Sequence, residues 1–157
     1  MAGKKQAEPP PPEPREFSST DEIDHAIKKI ERRIEELDRL DIRKAILEDN
    51  GSDDVVRSNI RETIREVFGG NSPEYREHKH IRLWAGPEYM GMSDTEIIEG
   101  TERGRNQARG ILQGLMARLQ EKREDLVTPG ATQPSTYFDR LNLHPRIADV
   151  ANDLFLD

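Results

Sequence analysis

The apolar positions between residues 20 and 40 repeat at alternating spacings of four and three, which predicts an amphipathic helix. They are Ile23, Ile27, Ile30, Ile34 and Leu37. The preceding Ser19-Thr-Asp-Glu22 has the capping-box pattern, in which side chains accept hydrogen bonds from the free N–H groups of the first turn. Lys, Arg and Glu share the other faces, so charge pairs three or four positions apart add support.

A second apolar stripe predicts a helix from about Asp53 to Phe68. Its members share one helical face: Val56, Ile60, Thr63, Ile64 and Val67. Gly69-Gly70 ends this helix, because glycine readily adopts the left-handed conformation found after helices. Residues 42–47 either prolong the first helix or form a short one of their own, and Asn50-Gly51-Ser52 separates the two patterns.

Residues 72 to 92 combine a shorter helix with a loop. Ser72-Pro73-Glu74 pairs a capping serine with proline at the first helical position, which predicts a helix running towards Trp84. Gly86-Pro87 ends it. Trp84 and Tyr89, with two nearby methionines, either plug the end of a helical bundle or contact a partner. We expect packing as the main role and keep both aromatic residues as candidates for partner binding.

The fourth helix is the longest, because one stripe continues from a second capping box, Ser93-Asp-Thr-Glu96, to about Leu126. We interpret the stripe as a packing seam. Its main members are Ile97, Gly104, Ala108, Ile111, Leu115 and Leu119. Small residues in its first half predict that a neighbouring helix approaches closely there, although glycine inside a helix costs about 1 kcal/mol relative to alanine.

No segment alternates with the period of a strand, so the chain is predicted to be all-α: an amphipathic helical hairpin or bundle of three to four helices. Residues 1–16 are rich in Pro, Lys and Glu and are predicted to form a disordered tail. Residues 17–126 form the helical interaction domain. Two prolines and a glycine mark residues 127–137 as a linker, and residues 138–157 begin a second domain.

Composition narrows the possible functions. Of the residues, 33% are hydrophobic and 35% charged, which suits long surface helices around a modest core. A net charge of -7 argues against a broad nucleic-acid or anionic-membrane surface. The absence of cysteine excludes disulfides and Cys-ligated metal sites. No apolar run is long enough to cross a bilayer and no secretion signal is present, so we expect a cytoplasmic protein without a membrane partner.

The final segment, residues 143–157, begins a helix that has no stop signal. Pro145 suits the first helical position, and Ile147, Val150 and Leu154 share one face. A single helix of this length cannot bury an apolar face alone, so we expect it to open a domain that continues past Asp157.

Leu143-His-Pro-Arg-Ile147, Val150-Ala151 and Leu154-Phe155 resemble the N-terminal edge of the Ymh-type family. That family is a helical domain of prophage-associated and defence-associated proteins. The resemblance implies that residues 138–157 are the first helix of a truncated Ymh-like effector domain. Residues 59–75, with the long helix behind them, are similar to the helical leaders of prokaryotic defence effectors, which implies an interaction or sensing module.

The Ymh domain is in turn similar to HEPN domains, some of which are RNases with an Arg and a His four to six residues apart. In this chain Arg76 and His80 have only three residues between them, and Arg140 and His144 repeat that spacing. The pairs Glu22-x-x-His25 and Glu77-x-x-His80 have the spacing of di-iron ligands. However, Glu22 and His25 lie well away from the apolar stripe, whereas such ligands must project into a bundle. We therefore expect no catalytic residue, metal or cofactor in these residues.

Arg57, Arg61 and Arg65 recur every four residues on the outer side of the second long helix. Such a row can contact phosphates or an acidic partner surface, or it can form a solvated face on which Asp53 pairs with Arg57. The three arginines are the remaining candidates for partner binding.

The sequence therefore predicts a non-catalytic helical interaction or oligomerisation module of a prophage- or defence-associated protein, with self-association as the expected contact. A helical RNA-targeting nuclease or toxin is one alternative. A nucleic-acid-binding regulator that uses the arginine row is the other.

Overall fold

The computed structural model describes residues 7–128, which fold into five helices without a strand within that range. The helices are α1 (Thr20–Arg39), α2 (Ile42–Glu48), α3 (Ser52–Phe68), α4 (Pro73–His78) and α5 (Asp94–Val127). The all-α fold predicted from the sequence is confirmed. The linker from residue 129 onward and the Ymh-like segment lie outside the described residues.

The first long helix, α1, packs against both α3 and α5, so it forms the centre of the bundle. The short helix α2 packs on α5, and α4 packs on α3. The large side chains that are fully buried come from the three long helices, α1, α3 and α5. They include Ile23, Ile30, Leu37, Ile60, Ile64, Phe68, Leu112, Leu115 and Leu119. The stripes predicted for α1 and α3 thus meet in one core.

Residues 42–47 form a separate helix because the chain leaves the helical conformation at Leu40, whose side chain is buried. The side chain of Asp41 accepts a hydrogen bond from the Lys44 N–H and so begins α2. The turn to α3 uses left-handed backbone at Asp49 and Gly51. These two left-handed residues reverse the chain within the short α2–α3 turn.

The prediction that the third helix runs towards Trp84 is wrong, since α4 ends at His78. A hydrogen bond from the Ile81 N–H to the His78 carbonyl closes the turn after α4. Non-helical chain follows, in which Ile81 and Leu83 are both buried. Burial of two side chains in alternate positions favours extended backbone over another helical turn.

The small residues in the first half of α5 were predicted to contact a neighbouring helix. Gly100 and Gly104 instead contact this non-helical segment after α4. Gly100 contacts the Trp84 ring, and Gly104 contacts the backbone of Leu83 and Trp84 so closely that a Cβ would not fit. The Ala85 N–H donates to the Gly100 carbonyl at 3.0 Å. A backbone can lie directly on a helix where the helix lacks side chains.

The predicted seam on α5 faces α1, α2 and this segment of the same chain. Gly104, Ala108, Leu115 and Leu119 are buried, whereas Ile97 and Ile111 are half-buried. The neighbour of Ile111, Leu112, takes the fully buried position. In a straight helix, residues seven positions apart are rotated by about 20° around the axis. Over the 34 residues of α5 the buried face therefore moves from one set of positions to the adjacent set.

The described half of the tail, residues 7–16, is not helical and is solvent-exposed apart from the half-buried Arg15. Its second half nevertheless contacts the bundle. The Glu13 N–H donates to the Asn71 carbonyl at 3.0 Å, and the Asn71 amide donates to the Pro11 carbonyl at 2.8 Å. These contacts use backbone groups of the tail, which every residue has, so the sequence does not reveal them. Composition alone therefore predicted only a solvated tail.

No described helix is long and apolar enough to cross a membrane.

Candidate functional site

A groove of about 360 Å³ lies where the α2–α3 corner, the segment after α4 and the start of α5 meet. We call it the end groove. Its apolar lining is Ile46, Leu83, Trp84, Met92 and Ile97, and its charged lining is Asp53, Asp54, Arg57, Arg82 and Glu88. A mixed lining of this kind, which includes an aromatic and a methionine side chain, is typical of sites that bind a protein segment.

The charges of the end groove are largely paired. Arg57 donates to Asp54 at 2.7 Å, three residues before it on α3, and not to Asp53 as the sequence predicted. Arg82 pairs with Glu88 across the loop. The rim is therefore polar but carries little net charge, which leaves the apolar side chains as the main source of binding free energy.

The two aromatic candidates have different surroundings. Trp84 is half-buried against Gly100, and its indole N–H donates to the Gly86 carbonyl at 3.1 Å. Tyr89 is 52% exposed, and its hydroxyl donates to the Glu96 carboxylate. Because the phenol donates to this carboxylate, the pKa of Glu96 is lowered and that of Tyr89 is raised.

Several exposed apolar residues belong to the chain segments that form the end groove. Met90 is fully exposed, and Leu47 and Val55 are each more than half exposed. Leu47, Val55 and Tyr89 each directly follow a residue that lines the groove, and Met90 is two positions from lining Met92. Sequence periodicity could not find this cluster, because its members come from three segments of the chain: α2, α3 and the loop before α5.

Two members of the arginine row lie beside a second cavity, of about 280 Å³, which we call the basic pocket. It is lined by Arg57, Arg61, Lys79, His80, Ile81 and Arg82. Arg65 is not part of the lining; it pairs with Glu62 at 3.4 Å and lies beside Gly70. The sequence identified the row, but the residues after α4 complete the pocket, and only the fold brings them to α3.

Among the described residues no cluster of His, Asp and Glu has the arrangement of a metal site. Of the Glu-x-x-His pairs, Glu22 accepts hydrogen bonds from the Ser18 backbone and hydroxyl and from Arg15. These bonds lower the pKa of Glu22. Arg76, which the sequence paired with His80, instead donates to Asn71 and to the Pro10 carbonyl.

No family model matches this chain, and no curated protein or solved structure has significant similarity to it. The resemblance of residues 143–155 to Ymh-type domains stays a prediction.

Proposed function

We propose that the chain is a non-catalytic helical interaction module that associates with a second copy of itself through the end groove. The observation that carries the proposal is the fully exposed Met90, two positions from Met92, which is part of the apolar lining of the end groove. The finer assignment, a leader of a prophage- or defence-associated protein, rests on the sequence resemblances alone, and the cytoplasmic location stays an expectation from the hydropathy of the sequence.

A protruding side chain next to a cavity makes a surface self-complementary. In a two-fold symmetric contact, the same patch serves both copies, so Met90 of each copy enters the groove of the other. Methionine suits this role because its unbranched, polarisable side chain adapts to an irregular cavity. Leu47, Val55 and Tyr89 would then lie around the inserted side chain and exclude water.

The long seam of α5 does not serve this contact. Ala108, Leu112 and Leu119 are already fully buried by the chain's own helices. A second copy could reach them only by displacing α1 or α2. Association through the end groove leaves the core intact.

Sedimentation velocity over a series of concentrations tests the proposal. The wild-type chain is expected to rise from its 18.0 kDa towards twice that mass. Met90→Glu is expected to stay monomeric, because a carboxylate cannot enter an apolar groove without losing hydration. Its circular dichroism should match the wild type, since Met90 touches solvent only.

Leu126→Glu is the matched control. Leu126 is also an exposed apolar residue, but it lies 29 residues along α5 from Ile97, or about 44 Å at 1.5 Å per residue. The control should associate like the wild type. A wild-type chain that remains monomeric, or a Met90→Glu variant that associates normally, would refute the proposal.

The nuclease alternative predicts cleavage of RNA by the purified chain, with or without divalent metal. The observation that favours this alternative is the position of His80, which lines the basic pocket together with Lys79 and Arg61. Intact RNA after incubation with the chain would exclude it. The nucleic-acid-binding regulator predicts affinity that falls steeply with salt.

A further inference from the structure

The basic pocket collects cations from two separate parts of the chain. Arg57 and Arg61 come from successive turns of α3, and Lys79 and Arg82 come from the segment after α4. No carboxylate lines this cavity, and its one apolar lining residue is Ile81. Four cations around one small concavity favour the entry of an anion, although Arg57, Arg61 and Arg82 each also have a carboxylate within 4 Å outside the lining.

The cations are held on a fixed frame. The Lys79 N–H donates to the Tyr75 carbonyl at 2.8 Å, and the Ile81 N–H donates to the His78 carbonyl at 3.0 Å. Ile81 is buried in the core, which fixes the backbone on both sides of it. The backbone that carries Lys79 and Arg82 is therefore already in place, so an anion would need to order only their side chains, which lowers the entropy lost on binding.

The carboxylates that pair with Arg57 and Arg82 use only part of each guanidinium. A guanidinium has five N–H donors. Arg57 donates once, to Asp54, and Arg82 donates once, to Glu88. The ion pairs therefore orient the two guanidinium groups. Within the described part of the chain, most of their N–H donors make no other hydrogen bond and can bind a ligand. Such groups match the oxygen geometry of phosphate.

Size and charge select a compact ligand. A cavity of about 280 Å³ has the volume of roughly nine water molecules at ~30 Å³ each, enough for one or two phosphate groups. Asp54, Glu62 and Glu88 flank the cations, and the chain carries a net charge of -7, so a long polyanion would be repelled beyond the pocket. We infer that the basic pocket binds the phosphoryl groups of a small phosphorylated ligand, such as a nucleotide or pyrophosphate.

Isothermal titration of the 157-residue chain with pyrophosphate tests this inference. Arg61→Glu and Lys79→Glu are each expected to weaken binding by at least about tenfold, because each replaces a cation by an anion. Arg65→Glu is the matched control: it makes the same charge change on the same helix, one turn beyond the pocket. It should change the dissociation constant by less than about twofold, and circular dichroism should confirm that all three variants fold.

Parallel titrations identify the source of the phosphate. Inorganic phosphate, a nucleoside triphosphate and the corresponding nucleoside distinguish a free phosphate site from a nucleotide site. Binding of the triphosphate and not of the nucleoside supports the inference. Equal loss in Arg61→Glu and Arg65→Glu would mean general electrostatic attraction and would overturn it. So would no binding of any phosphate compound, or binding of a single-stranded RNA oligonucleotide alone.

Discussion

Gly104 is where the loop after α4 rests directly on α5. A Cβ at this position would collide with backbone atoms of Leu83 and Trp84, and backbone cannot rotate away. Gly104→Ala is expected to lower the free energy of unfolding by about 2 kcal/mol, since overpacking costs more than the helix propensity gained. Urea denaturation followed by circular dichroism measures the change.

Gly110 supplies the matched control, because it lies on the same helix with nothing within 4 Å of its added Cβ. Gly110→Ala should raise the free energy of unfolding by about 0.5 to 1 kcal/mol. If both alanine variants are stabilised, the close contact between the loop and α5 does not exist.

His78, at the end of α4, makes stability depend on pH. Burial lowers the pKa of His78 below its usual 6.5; Arg118 adds to this effect, and the carboxylates of Glu77 and Glu74 oppose it without cancelling it. The unfolded chain therefore binds this proton more readily than the folded chain, so protonation favours unfolding. Stability should fall as the pH decreases below about 6.5.

Denaturation between about pH 7.5 and about pH 5.5 measures this loss, which should be smaller in His78→Gln than in the wild type. His25 is exposed, so His25→Gln serves as the control and should lose stability like the wild type. An equal loss in the wild type and in His78→Gln would contradict the assignment.

On α3 every residue of the predicted stripe is buried, namely Val56, Ile60, Thr63, Ile64 and Val67, and the structure adds Phe68 at the end of the helix. On α5 the sequence selected Ile111, whereas Leu112 is fully buried. The difference is physical: α3 is short enough for one stripe to stay in register, and α5 is twice as long.

Among the elements, the end of α3 is held by a residue from outside the helices. Arg15 donates to the Glu66 carbonyl at 3.1 Å and to the Val67 carbonyl at 2.6 Å, both of which lack intrahelical partners. The same guanidinium bonds to Glu22 of α1 at 2.5 Å and lies 4.8 Å from the Phe17 ring centroid. It thus joins the start of one helix to the end of another.

Arg15→Ala is expected to lower the free energy of unfolding by about 1 to 2 kcal/mol, because charge-assisted hydrogen bonds to two carbonyls are lost. Arg32→Ala, on the exposed face of α1, is the control and should stay within about 0.5 kcal/mol of the wild type. Equal effects of the two substitutions in thermal or urea denaturation would show that Arg15 does not secure α3.

Cap signals located helix starts well because they are local. Ser19, Ser72 and Ser93 each accept a hydrogen bond at the start of a helix, and Ser93 with Glu96 forms the complete capping box that the sequence predicted. The end of α4 was missed because burial of Ile81 and Leu83 under distant helices stops it, and no local stop signal marks that point.

At the scale of the whole molecule, both candidate sites depend on the same non-helical segment. Residues 79–92 supply Lys79 to the basic pocket and Trp84 to the end groove, and Arg82 lines both. The sequence identified the arginine row and the aromatic pair separately. The row and the pair lie close together because of the path that this segment takes across α5, and hydrophobic periodicity does not predict that path.

The central claim is that two copies meet at the end groove, and energy transfer between labelled copies tests it most directly. The chain has no cysteine, so Glu48→Cys near the groove and Glu124→Cys at the far end of α5 each give one labelling site. Donor-labelled and acceptor-labelled copies of the same variant are mixed. We predict strong transfer for Glu48→Cys and weak transfer for Glu124→Cys. Transfer only between the Glu124→Cys copies, or none in either mixture, would contradict the account.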